Sequence, residues 1–149
     1  MVEIPAAALS ASEILGAVDF VSIGTNDLAQ YTLAADRMSG PLAALNDPWQ
    51  PALLRLIGMV GAAGQTEAKP VGICGEAAAD PALAPVLVGL GATSLSMSAR
   101  SLSDVGAVLK TVTLQQCRDL AALAVDAADA DSGRAAVRAA LPALEELGL

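Results

Sequence analysis

The sequence contains no histidine, so no imidazole acceptor for a transferred group lies within it. Cysteine occurs only at Cys74 and Cys117. The two are too far apart for a CxxC pair and form no zinc pattern, so reduced thiols are expected. Basic residues are scarce: eight Lys and Arg stand against sixteen Asp and Glu, a formal charge of -8. Scattered as they are, they exclude a nucleic-acid surface, which needs clustered cations to meet the phosphate backbone. No apolar run reaches the roughly 18 residues that would cross a bilayer, and the first residues lack a basic segment followed by an apolar one. A cytoplasmic protein without membrane association is expected.

What the chain has in quantity is apolar surface. Of 149 residues, 54% are apolar, enough for one globular domain with a core of its own. Residues 1–4 read as the end of a strand, with Pro5 opening a helix of small residues over 5–18. Residues 19–24 form a second strand and 26–35 its helix. A loop over 38–48, marked by Gly40, Pro41, Asn46, Asp47 and Pro48, suits a lid or a partner contact. In 51–67, Leu53, Leu54, Ile57, Val60 and Gly61 recur at three- and four-residue spacing, the core face of a helix. A third strand at 70–74, a helix opened by Asp80 and Pro81, a fourth strand at 93–98 and a helix at 101–112 repeat the pattern. Two more helices, 114–128 and 133–147, flank a turn at Asp129, Asp131 and Ser132, and no strand pattern appears in this tail.

Four strand-helix units of roughly 30 residues fit a parallel βα array. A closed eightfold barrel takes ~250 residues, so the chain suffices for about half of one. The expected fold is therefore α/β: half of a (β/α)8 barrel over residues 1–112 and a helical tail over 113–149. Half a barrel leaves unpaired edges on its first and fourth strands, which self-association or the tail helices must cover.

Chemistry concentrates in SIGTNDLAQYTLAADR, residues 22–37. Gly24 permits a tight exit from the strand, and Thr25, Asn26 and Asp27 offer capping side chains to the next helix. Free N–H groups at that helix start favour a phosphate or carboxylate, and the Asp27 carboxylate beside them suits a hard divalent cation. Glu3, Asp27 and Cys74 all fall at C-terminal strand ends, where barrel enzymes build their active sites.

Each of these residues also has a plain structural reading. Glu3 and Asp27 supply two oxygens to Mg2+, with water and substrate completing the shell, or they are a solvated acid at the chain start and a first-turn helix carboxylate. Asn26 is a ligand, a cap, or both. Arg37 clamps an anion bidentately or pairs with Asp36 or Asp47 at the surface. Cys74 is a proton-donating thiol or a small buried hydrophobe. Cys117, in a helix outside every motif, takes the latter reading. Glu76 organises the mouth or simply follows the turn, and Ser96, Ser98 and Arg100 lie at the fourth strand end.

GTNDL followed by QYTLAADR resembles the signature of the enzyme I family of the phosphoenolpyruvate (PEP)-dependent sugar phosphotransferase system. MVEIPAAAL (1–9), VGICGEAAADP (71–81) and SMSAR (96–100) agree with it in order and spacing. Pyruvate phosphate dikinase and PEP synthase share GTNDL and a related barrel, but QYTLAADR is more similar to enzyme I. The resemblance assigns the chain to the last four strands of that family's barrel and implies PEP as substrate. It implies Glu3 and Asp27 as Mg2+ ligands and Asn26, Asp27 and Arg37 as PEP-binding residues. It further implies Cys74 as the acid that protonates carbon 3 of the enolate left by phosphoryl transfer, giving pyruvate; Arg100 matches the pattern less well.

In that family the phosphoryl group passes to a histidine on a separate N-terminal domain, then to a phosphocarrier protein serving sugar uptake. With no histidine, this chain lacks that domain, as it lacks the upstream half-barrel whose arginines also clamp the phosphate. Little or no complete transfer is expected from it alone. The competing reading is a non-catalytic half-barrel kept for dimerisation or regulation, and a homo-oligomer is expected.

Overall fold

The computed structural model describes residues 1–36 and 38–149; Arg37 lies outside them. Three short parallel strands, β1 (Val21–Gly24), β2 (Val71–Cys74) and β3 (Ser94–Ser96), form a sheet in the order β1-β2-β3. Each is shorter than its sequence pattern suggests. The register sets Gly24 beside Cys74 and Cys74 beside Ser96, so the three C-terminal ends are level. The strand expected over 1–4 contributes a single bridged residue: Val2 N–H donates to Ser22 O at 2.7 Å, and Val2 O accepts from Gly24 N–H at 3.0 Å. Pro5 has no N–H to extend that ladder and instead starts α1 (Pro5–Leu9). Three strands and a bridge thus stand where four strands were expected, in a mixed α/β fold.

Alternation along the strands divides the sheet into two unlike faces. Val21, Ile23, Val71 and Ile73 are buried in the core. Ser22, Gly72 and Ser94 share the other face, where a Cβ on Gly72 would lie 3.0 Å from Ser94 Oγ and 3.7 Å from Ser22 Oγ. The helix expected over 5–18 breaks into α1 and α2 (Ala11–Ala17) at Ser10, whose φ of -101° and ψ of 28° leave the helical region; serine competes poorly inside helices. Next come α3 (Thr25–Leu33), α4 (Pro51–Thr66), α5 (Leu83–Gly89) and α6 (Leu102–Leu109). The α4 face carrying Leu53, Leu54, Ile57, Val60 and Gly61 is buried as its spacing requires. The segment read as an open loop over 38–48 instead coils into 3-10 turns at Gly40–Asn46.

The tail forms α7 (Leu114–Val125), α8 (Ala130–Ala139) and α9 (Ala143–Glu146). The single helix expected over 133–147 is interrupted at Pro142, which lacks an N–H. Capping boxes of Thr113 with Gln116 and Asp129 with Ser132 start α7 and α8. α7 packs across α5 and α4, and Leu120, Ala121 and Ala124 join the same core as Ile57 and Leu87. Arg55 on α4 donates to Val125 O at 3.0 Å. The tail thus covers helices rather than a sheet edge, and β3 has β2 as its only strand partner among the described residues. Among those residues no helix is long and apolar enough to cross a membrane.

The α5–α7 crossing depends on Gly89, because a Cβ there would sit 2.1 Å from Cys117 O. Gly89→Ala should therefore cost about 2–3 kcal/mol in urea unfolding, as overpacking against backbone does. Gly106→Ala in α6, with nothing within 4 Å of the added carbon, should be neutral or stabilise by up to ~1 kcal/mol.

At the start of α8, the Ser132 side chain and then its backbone N–H hold the Asp129 carboxyl below the ordinary aspartate value. Its cap is complete above that ordinary value and is lost as pH falls through the lowered one. Hydrogen exchange should show α8 losing protection in that acid window, and Asp129→Ala should remove both the protection and its pH dependence.

Candidate functional site

The level strand ends bring the signature stretches to one rim. Val2 pairs with Ile23, so Glu3 stands level with Gly24, and its side chain crosses that glycine. A Cβ on Gly24 would lie 2.8 Å from Glu3 Cγ and 2.9 Å from Oε1. Gly24 is therefore needed to let this carboxylate reach the rim, a use of the glycine beyond its turn.

α3 begins at Thr25, immediately after β1, with Gly24 in the capping place and no side-chain cap. The caps expected from Thr25, Asn26 and Asp27 are thus not made. The buried Thr25 hydroxyl is instead spent on Cys74 O, 3.0 Å away, tying the ends of β1 and β2 together. Asn26, exposed on the first turn, lies over the next strand end: its Oδ1 is 3.5 Å from where a Cβ on Gly75 would be. Gly75 has a φ of 101°, a left-handed value that favours glycine. Asp27 is half-buried in the same turn.

Cys74 is half-buried, and its thiol donates to Ile23 O at 3.4 Å. Cys117 is buried, and desolvation pushes its thiol pKa up, in line with its reading as a small hydrophobe. Neither Glu3 nor Asp27 has a hydrogen-bond or ion-pair partner within the protein among the described residues.

An open cleft of about 630 Å3 lies over these ends. Asn26 lines it from α3, Gly75, Glu76 and Asp80 from the segment after β2, Ser96 from the end of β3, and Ser98, Arg100 and Ser101 from the segment that follows. Of the residues singled out from sequence, Asn26, Glu76, Ser96, Ser98 and Arg100 line this cleft. Glu3 and Cys74 sit at strand ends and Asp27 in the first turn of α3, none of them lining the cleft, and Arg37 lies outside the described residues. The Arg100 guanidinium has no ion-pair partner among those residues.

Asp80 was legible only as a helix opener. Its Oδ1 does accept from Ala82 N–H at 2.9 Å and Leu83 N–H at 3.3 Å, but its Oδ2 accepts from Trp49 Nε1 at 2.9 Å. Trp49 is fully buried and is the chain's only tryptophan. That singularity and its place beside Pro48 were the only sequence clues.

Among the described residues no three His, Cys, Asp or Glu side chains form a metal-holding group. Mg2+ is usually held by one or two carboxylates, with water and substrate oxygens filling the other positions. The two partnerless acids Glu3 and Asp27 fit that donor count and chemistry.

Comparison with known proteins gives a consistent picture. Residues 1–114 match the family described as PEP-utilising enzyme, PEP-binding domain. The chain is 57% identical over 141 residues to a phosphoenolpyruvate-protein phosphotransferase of Streptomyces coelicolor, covering 95% of this chain and 25% of that protein. It is 49% identical over 126 residues to the protein of that name from Latilactobacillus sakei, covering 85% of this chain and 22% of the relative. The corresponding Mycoplasma genitalium protein is 48% identical over 120 residues, 80% of this chain and 21% of its own length. The chain thus spans about a quarter or less of these relatives.

Replacing Thr25 by Val keeps its shape and removes the tie to Cys74. Urea unfolding should show a loss of about 0.5–1.5 kcal/mol, the usual net worth of one such hydrogen bond. Alkylation of Cys74 should be faster in the variant than in the parent chain.

Proposed function

The chain belongs to the family of PEP-utilising enzymes, matching its PEP-binding domain over residues 1–114, and we propose that it is the metal- and PEP-holding part of a phosphoenolpyruvate-protein phosphotransferase. Other chain segments would supply the phosphoryl-accepting histidine, from which the group passes to a phosphocarrier protein. The sheet would be the last four units of a (β/α)8 barrel, cytoplasmic and self-associating. Its face of Ser22, Gly72 and Ser94 is small and polar, unlike the apolar face of Val21, Ile23, Val71 and Ile73 that packs in the core.

One observation carries the assignment: the separate signature stretches converge at level strand ends, with Glu3 over Gly24, Asn26 over Gly75 and Cys74 paired between Gly24 and Ser96. In this role Glu3 and Asp27 would hold Mg2+, which when bound would supply positive charge to the site. Asn26 and the N–H groups starting α3 orient the phosphate, joined by Arg37 and, from the segment after β3, Arg100. Cys74, at the end of β2, is the thiol that would donate a proton to carbon 3 of the enolate. The names of the relatives favour this enzyme over pyruvate phosphate dikinase or PEP synthase.

The test is calorimetric titration of the chain with PEP, with and without Mg2+. Saturable, metal-dependent heat is expected; Asp27→Ala should abolish it, and Gly24→Ala should weaken it by crowding Glu3. Cys74→Ala should leave binding intact and, once the missing segments are supplied, slow only enolate protonation. Binding indifferent to Mg2+, or retained in Asp27→Ala, would overturn the assignment.

A further inference from the structure

A line of contacts runs from the tail to the cleft. On α8, Arg134 places Nη2 2.8 Å from Asp47 Oδ1 and 2.6 Å from Oδ2, across 87 residues of sequence. Its guanidinium carbon also lies 5.7 Å from the centre of the Trp49 ring. Asp47 Oδ1 accepts the Trp49 backbone N–H at 2.9 Å. The buried indole then donates to Asp80 Oδ2, while Asp80 Oδ1 holds the N–H groups of Ala82 and Leu83. Asp80 closes the 3-10 turn Glu76–Ala79 and, with Gly75 and Glu76, lines the cleft.

We propose that Asp80 and Trp49 are positioning residues and that the tail, through Arg134, sets where the cleft segment Gly75 to Asp80 stands. Both Asp80 oxygens are occupied, so the carboxylate serves as a fixed post rather than as a ligand. A buried indole N–H that lost its carboxylate would be left unsatisfied, which penalises movement of either partner. The Arg134–Asp47 pair is partly exposed, with side chains 36% and 22% accessible. Its direct contribution to stability is therefore small, and its effect is geometric: it clamps the backbone that carries Trp49. The link to catalysis rests on the PEP assignment above, whereas the link from tail to cleft does not.

The two parts are tested separately on the full chain. Arg134→Met should shift the backbone amide resonances of residues 75–83 and speed solvent exchange of the Trp49 indole N–H about tenfold, a loss of roughly one hydrogen bond's protection. Arg134→Lys should restore most of both. In a Trp49→Phe background, Arg134→Met should leave residues 75–83 nearly unmoved, a non-additivity that general destabilisation would not produce. Shifts confined to α8 and Asp47, or equal shifts in both backgrounds, would overturn the relay. In the Mg2+-dependent PEP titration, Arg134→Met should weaken binding about fivefold, a coupling within the usual range for linked sites. Unchanged affinity despite moved resonances would overturn the positioning role. A parent chain that binds no PEP would remove the functional assignment and leave the relay to be decided by the resonances.

Discussion

The constraint on which everything else depends is the two-residue repeat of a sheet only four residues deep. Val21 and Ile23 on one strand and Val71 and Ile73 on the next must all face the helices, where each fully buried aliphatic side chain contributes about 1.5–3 kcal/mol. A slip of one residue would bury Ser22 and Gly72 and expose the core, so the register is strongly fixed. Fixing it levels Gly24, Cys74 and Ser96, and the rim of the cleft follows from that alignment. The chemistry at the rim is thus held in place by apolar burial one residue below it.

Glycines convert this alignment into contact. At Gly24 the missing side chain is where Glu3 passes; at Gly75 it is where Thr25 and Asn26 lie close, a Cβ there being 3.0 Å from Thr25 Oγ1. The same device holds the outer layer, where Gly89 admits the Cys117 carbonyl and Gly61 admits that of Leu90. The tail is consequently seated on α5 by backbone approach as well as by Leu120, Ala121 and Ala124. That seating brings α8 and Arg134 within reach of Asp47.

Much of this was legible in the sequence because it is local. Strand centres around 21–24 and 71–74, the buried face of α4 and the turn at Asp129 all follow from periodicity and capping rules that act over a few residues. The failures are places where a distant partner prevailed. Thr25 reads as a cap, yet its hydroxyl goes to Cys74, 49 residues away. Asp80 reads correctly as a helix opener, but its second oxygen meets an indole 31 residues upstream. Single polar contacts at such separations leave no period in the chain. The first strand shrank for a simpler reason: Pro5 ends the ladder almost as soon as it begins.

Charge at the rim explains why phosphate binding in the proposed role would depend on a metal. The overall charge of -8 acts weakly at the cleft, because charges beyond about 8 Å are screened at physiological ionic strength; the local set decides. Among the described residues, Glu3, Asp27 and Glu76 stand at or beside the rim with Arg100 as the counter-charge, while Asp80 already accepts three N–H groups. Within that described set, three carboxylates that repel a phosphate stand against one guanidinium and a helix start that attract it. In the proposed role, Glu3 and Asp27 would hold a divalent cation that would turn that repulsion into attraction, because the two carboxylates opposing the anion would anchor its counter-ion. Having no protein partner among the described residues, the two acids are available for that reversal.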